Sequence, residues 1–131
     1  MKQDVNTLRQ TDSKPSSTRV PITPGGPACY GSYVFKTRIG KIDETLELIG
    51  KRVLDLDCGS SYYTAALALR AAYVCGVDIQ MPHLEAFGQL IPGVQGTGES
   101  LPFASEKFDV VTMIEALEHT DCDRRALKEC C

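Results

Sequence analysis

The spacing of apolar residues changes repeatedly along this chain, and each change marks an element. Residues 1–29 show neither a helical nor a strand period. They hold four of the seven prolines among many polar residues, so they read as a disordered leader. Tyr30 and Tyr33 mark where the chain becomes able to pack. From Thr37 to Ile49, Ile39, Ile42, Leu46 and Ile49 recur at three- and four-residue steps, which predicts an amphipathic helix. Gly50 follows in a place that C-terminal caps favour. Val53 to Leu56, with Asp55 inside the run, is the size of a buried strand. It breaks into the polar turn Asp57-Cys58-Gly59-Ser60-Ser61 and then an alanine-rich helical stretch, Tyr62 to Ala72. A second apolar run, Tyr73 to Val77, ends in Asp78.

Beyond Asp78 the signals shorten. Pro82 suits the first turn of a short helix with Leu84, Phe87 and Ile91 as its buried stripe, and Pro92-Gly93 ends it. Gly88 weakens that helix by about 1 kcal/mol relative to Ala. A third strand is expected around Gly93 to Gly96. Thr97 to Lys107 reads as loop, pinned by Leu101, Pro102 and Phe103. Phe108 to Ile114 is the clearest strand signal, rich in β-branched residues and nearly all apolar, as a central parallel strand should be. Asp121 or Asp123 can cap a last short helix. Strands alternating with helices predict an α/β fold, with residues 30–131 as its one domain.

Composition narrows this little. In 131 residues, 43% are hydrophobic and 24% charged, ordinary values for a soluble globular chain. The net charge of −3 implies no general attraction to nucleic acid or anionic membrane. No run approaches a membrane span and the N-terminus lacks a signal-peptide apolar core, so a cytoplasmic location is expected. Six cysteines do not make a disulfide scaffold in such a chain. Cys122, Cys130 and Cys131 near His119 match no paired C-x-x-C spacing, so scattered thiols and no metal are expected.

Strand, tight turn and helix open a nucleotide-binding βαβ unit, in which backbone N–H groups and a helix N-terminus face the ligand. Asp78 lies 19 positions past Gly59, close to the ~20 at which a carboxylate meets ribose hydroxyls. The segments V-L-D-L-D-C-G-S-S, V-C-G-V-D-I, G-E-S-L-P-F and F-D-V-V-T-M-I-E-A-L-E-H, in this order and spacing, resemble consecutive motifs of class I S-adenosylmethionine-dependent methyltransferases. The nearest pattern is the broad subgroup acting on small molecules and lipids, and the resemblance covers Lys51 to Lys128. It implies a Rossmann-like, mostly parallel sheet with flanking helices, S-adenosylmethionine as cofactor and a small-molecule methyl acceptor. It implies that Asp55 and Gly59 border the methionine part and that Asp78 takes the ribose hydroxyls. Ile79 would wall the adenine slot, with Thr97, Gly98 and Glu99 at the base edge. Glu115 would lie near the sulfonium and the acceptor. A buried carboxylate is costly without partners, which favours a functional Asp55. No residue announces itself as a general base; His119 could serve as a base or a ligand contact, but it reads first as a surface histidine.

The chain departs from the family in two ways. Of three alternating turn glycines it keeps the middle one, Gly59, with Asp57 and Ser61 in the outer places. A non-glycine residue held left-handed costs roughly 1–2 kcal/mol, so Asp57 is expected to weaken cofactor binding. Thr97 stands where the family commonly has an acid contacting adenine. The chain also ends after the fourth strand, which corresponds to the N-terminal half of the family fold. An apolar edge at Phe108 to Ile114 then calls for a protein partner, or marks a truncated product of marginal stability. Two rival readings stand beside an enzyme. One is a non-catalytic, methyltransferase-like binding module or fragment. The other is a nicotinamide-dependent oxidoreductase, which requires G-x-G-x-x-G, whereas Asp57 to Tyr62 supplies one glycine.

Overall fold

The computed structural model describes residues 31–59, 62–85 and 90–131. The leader expected over 1–29 lies outside the described residues, as do Tyr30, Ser60, Ser61, Phe87 and Gly88. The order is α1 (Gly31–Thr45), β1 (Arg52–Leu56), α2 (Tyr62–Ala68), β2 (Tyr73–Asp78), α3 (Met81–Glu85), β3 (Gly93–Gln95) and β4 (Val110–Met113). A 3-10 turn (Leu117–His119) and α4 (Asp123–Glu129) complete it. The four strands form one sheet in the order β3-β2-β1-β4, and every pairing is parallel. This is the α/β fold that the alternation of strands and helices predicts, with the Rossmann-like parallel sheet that the resemblance implies. No helix among the described residues is long and apolar enough to cross a membrane.

Alternation along β1 divides the core between the two faces of the sheet. Val53 packs with Leu48, Leu67 and Val74 beneath α1 and α2. Leu54 and Leu56 turn the other way, to Cys75, Val77, Leu101, Phe103 and Phe108. The expected anchoring of the loop by Leu101 and Phe103 is therefore observed, and Phe103 meets Phe108 edge-to-face at 5.0 Å. At the start of the sheet, Asp109 accepts the backbone N–H of Arg52 at 2.8 Å and its guanidinium at 3.0 and 3.1 Å, locking β4 to β1. That pairing holds the Asp109 carboxyl down to about 2.

Several boundaries differ from the sequence pattern. Helix α1 begins six residues before Thr37 and stops at Thr45. Past that point the chain leaves helical phase, so Leu46 and Ile49 face solvent, Ile49 at 82% exposure, while Leu48 turns inward. Tyr33 also faces solvent; the nearby aromatic that packs is Phe35, 5.0 Å from the ring of Tyr63. Gly50, at φ 77°, serves the turn into β1 and not a helix cap. Helix α2 ends at Ala68, where the N–H groups of Arg70 and Ala71 both reach back to the carbonyl of Leu67. β4 has four residues where seven are expected, and among the described residues it is the last strand on its side. With a neighbour on one side only, most of its residues stay half-buried. Helix α4 starts from Cys122, with neither Asp121 nor Asp123 as its cap.

The sheet's most unusual occupant is Asp55. It lies on the α2 face, 2% exposed, and its carboxylate accepts hydroxyl hydrogen bonds from Thr64 of α2 and Thr112 of β4, both at 2.6 Å. A buried carboxylate with two donors is no longer without partners, so its burial is accounted for within the fold. We predict that Asp55→Ala, by stranding two buried hydroxyls, lowers stability by roughly 2–4 kcal/mol in urea unfolding. An unchanged midpoint would remove this carboxylate from the account of the fold.

Candidate functional site

Parallel strands deliver their C-terminal ends to one edge of a sheet, and ligands of open α/β sheets sit there. At that edge Leu56 pairs with Val77 on one side and Met113 on the other. The chain leaves β1 through Asp57 at φ 54° and Gly59 at φ 48°, both left-handed. Glycine adopts that conformation freely and aspartate tolerates it better than most residues. The turn is tied to β2 twice. Cys58 N–H donates to the carbonyl of Val77 at 3.1 Å, and Gly59 N–H donates to Asp78 Oδ2 at 2.8 Å.

Asp78 is itself 2% exposed. Its Oδ1 accepts the N–H of Gln80 at 2.8 Å and lies 3.1 Å from Nδ1 of His83. Beside it opens a cleft of about 140 Å³. Leu56, Asp57, Asp78 and Ile79 line one side, and Gly96, Thr97, Gly98 and Glu99 the floor. Met113 at the end of β4 and Ala116, His119, Thr120 and Asp121 from the segment after it close the cleft. The fold thus gathers Asp57, Asp78, Ile79, Thr97, Gly98 and Glu99 around one space, with Gly59 adjoining through its bond to Asp78.

Two expected residues lie elsewhere. Asp55 does not line the cleft; it acts on the far side of the turn through Thr64. Glu115 does not line it either. Its backbone is left-handed at φ 57°, and its carboxylate pairs with Arg38 of α1 at 2.5 Å. Arg38 also donates to the Tyr63 hydroxyl at 3.2 Å, so one guanidinium joins α1, the start of α2 and the exit from β4. Glu99 faces the cleft but its Oε1 accepts the N–H of Cys122 at 2.9 Å, which fixes the entry to α4. His119, Thr120 and Asp121 are additions that no spacing rule singles out, since the turn carrying them becomes a wall only once β4 is in place.

Three acids and a thiol share this end of the sheet, and the electrostatics follow. Burial pushes the Asp55 carboxyl above the usual carboxylate range against the two threonine hydroxyls. Partial burial, then the neighbouring Asp78 charge, push Asp57 upward, while His119 and His83 oppose this. Burial pushes the Cys58 thiol up to about 12, so it is an inert filler. An acid whose folded value is raised binds its proton more tightly in the native state. Its favourable contribution is present below the unfolded value near 4 and is lost as pH rises through the folded one. We therefore predict that Asp57→Asn, which keeps left-handed tolerance but cannot ionise, gains stability over the wild type as pH rises from about 4 to about 7. Urea midpoints at both ends of that range measure it, and a pH-independent difference would contradict the assignment.

The chain is similar to known proteins in sequence and in fold. The profile of the family described as "Methyltransferase domain" matches residues 54–131. The chain is 38% identical over 104 residues to the ubiquinone biosynthesis O-methyltransferase of Pseudomonas putida (strain F1), covering 71% of this chain and 44% of the relative. The enzyme of the same name from Pseudomonas fluorescens (strain SBW25) is 37% identical over 102 residues, with the same coverage. Among solved structures, the YcgJ protein of Bacillus subtilis superposes with a TM-score of 0.67 at 30% identity, over 72% of this chain and 44% of that one. SAM-bound CalS10, an amino pentose methyltransferase from Micromonospora echinaspora, superposes at 0.56 with 20% identity over 74% and 42%, a likeness of fold alone. The chain spans less than half the length of these proteins. With a matching family profile over most of its length and a matching sheet, it belongs to the class I S-adenosylmethionine-dependent methyltransferase family.

Proposed function

We propose that the cleft beside Asp78 binds S-adenosylmethionine and that the protein transfers its methyl group to a hydroxyl-bearing small molecule. The observation that carries this reading is the 2.8 Å bond from Gly59 N–H to Asp78 Oδ2, which joins the turn and the acid into one unit. The residues fit the donor. Leu56, Ile79, Met113 and Ala116 offer apolar walls for a flat base, and Asp78 retains acceptor capacity for ribose. Thr97, Gly98 and Glu99 would meet the base edge, while Asp57 and Gly59 would border the amino-acid tail. Asp55 supports the turn from behind, and Glu115, held by Arg38, positions the exit from β4. The hydroxyl acceptor is inferred from the O-methyltransferase names of the relatives.

The donor brings an activated methyl on a positive sulfur, so the chemistry is supplied with it. The chain's own residues align the partners and exclude water, which can contribute several kcal/mol through proximity. A hydroxyl acceptor must also lose a proton. His119 lines the cleft and is the imidazole in place to receive it.

Strain at Asp57 favours a second reading, a donor-binding module with weak turnover. Isothermal calorimetry with S-adenosylmethionine, together with methyl transfer from labelled donor to cell extract, separates the two. Asp78→Asn should weaken donor binding about tenfold, the value of a lost charge-assisted hydrogen bond, and Asp57→Gly should strengthen it. Equal affinities for wild type and Asp78→Asn would sink the ribose role.

The proposal extends to surroundings. The five described cysteines are free thiols, the state expected in a reducing cytoplasm. β4 presents an outer edge unpaired among the described residues, and we propose that further protein covers it. Size-exclusion chromatography of the 131-residue chain should then show self-association. A clean monomer with protected β4 amides would refute that cover.

A further inference from the structure

Resting on the reading of the cleft as the seat of an adenosine-bearing donor, we propose that Arg38 is a positioning residue for that donor. By gripping Glu115 it holds that residue left-handed, and so keeps the wall of Ala116 and His119 where the adenosine meets it. Arg38 does not line the cleft; it acts through the chain.

The need for a clamp follows from the backbone. β4 ends at Met113, and two residues on Glu115 stands at φ 57°. In that conformation the Cβ of an ordinary residue crowds the following carbonyl oxygen. Asp57 has a short polar side chain that eases the conformation locally, and glutamate does not. The hold has to come from outside the segment. The guanidinium of Arg38 donates to Glu115 Oε1 at 2.5 Å and to the Tyr63 hydroxyl at 3.2 Å. The two charged side chains are 33% and 30% exposed, so solvent screens them less than a surface pair. The base of the clamp is firm. Ile39, the next residue of α1, is buried, and Asp43 is forked to Arg70 of the neighbouring segment.

What the clamp sets is the wall. Ala116 follows Glu115 directly, is 1% exposed and lines the cleft. Its carbonyl accepts the N–H of His119 at 3.0 Å, so the 3-10 turn moves with it. Relaxation of Glu115 to negative φ would swing both residues together. A protein whose wall is in place for part of the time binds in proportion to that fraction. Removing the clamp therefore weakens binding, although Arg38 and Glu115 both stand outside the cleft.

The test separates backbone conformation from charge. Glu115→Ala and Glu115→Asn both delete the ion pair, but asparagine accepts the left-handed region far better than alanine. Adenosine is the probe, because it lacks the amino-acid tail that a guanidinium could grip directly. In NMR titrations of the 131-residue chain, Arg38→Gln and Glu115→Ala should each bind adenosine about three- to tenfold more weakly than the wild type. Glu115→Asn should stay within about twofold, and adding Arg38→Gln to it should change nothing more. The Ala and Asn variants leave α1 untouched, so they decide the matter even where Arg38→Gln does not fold. Equal weakening by Ala and Asn would overturn the proposal, as would wild-type affinity in Glu115→Ala. A further loss when Arg38→Gln is added to Glu115→Asn would also overturn it, by showing that Arg38 acts on another path. Adenosine bound by none of the proteins, the wild type included, would instead remove the donor-site reading and the proposal with it.

Discussion

Everything at the ligand end of this sheet hangs on one carboxylate accepting one backbone N–H. Asp78 Oδ2 and Gly59 N–H belong to the exits of neighbouring parallel strands, and their 2.8 Å bond fixes the distance between the turn and the second strand. A charge at 2% exposure is expensive to hold, and here the backbone N–H groups of Gly59 and Gln80 offset that expense. The same donors occupy lone pairs that a ligand would use.

Strain is stored at the same level of the sheet. Leu56 and Met113 are register partners, and left-handed non-glycine residues follow them, Asp57 at the next position and Glu115 two positions on. Such conformations cost of order 1–3 kcal/mol each and persist where the surroundings over-determine them. At Glu115 the over-determination is visible in the ion pair to Arg38. Asp57 has the two backbone ties of Cys58 and Gly59 just beyond it. The third left-handed residue, Glu106, sits at the opposite end, where its carbonyl accepts from Arg52 at 3.3 Å.

How much of this was legible in the sequence depended on whether the signal was local. The strand cores, the glycine turn and the spacing from Gly59 to Asp78 are properties of short segments, and they lead to the right sheet. Helix ends were less legible, because the period carried by Ile39 and Ile42 continues through Leu46 and Ile49 although the helix has stopped. The partners of Asp55 were not legible at all. Thr64 and Thr112 stand 9 and 57 positions away, and a threonine in a helix or a strand carries no mark of the acid it will meet. Thr120 and Asp121 escaped for the same reason: their place in the cleft is made by β4 pairing beside β1.

The family profile begins at residue 54, yet α1 belongs to the functional unit for a physical reason. Asp43 pairs with Arg70 at the far end of α2, at 2.5 and 2.9 Å, while Arg38 grips Glu115 and Tyr63 at the near end. Two guanidinium–carboxylate contacts thus span α2, and the forked one, between Arg70 and Asp43, fixes orientation as well as position. Because one of them ends on the left-handed residue that follows β4, a movement of α1 would be felt at the cleft wall carried by Ala116 and His119. The helix that precedes the nucleotide-binding motif is in this sense part of its outer frame, placed there by charge pairing across 77 positions of sequence.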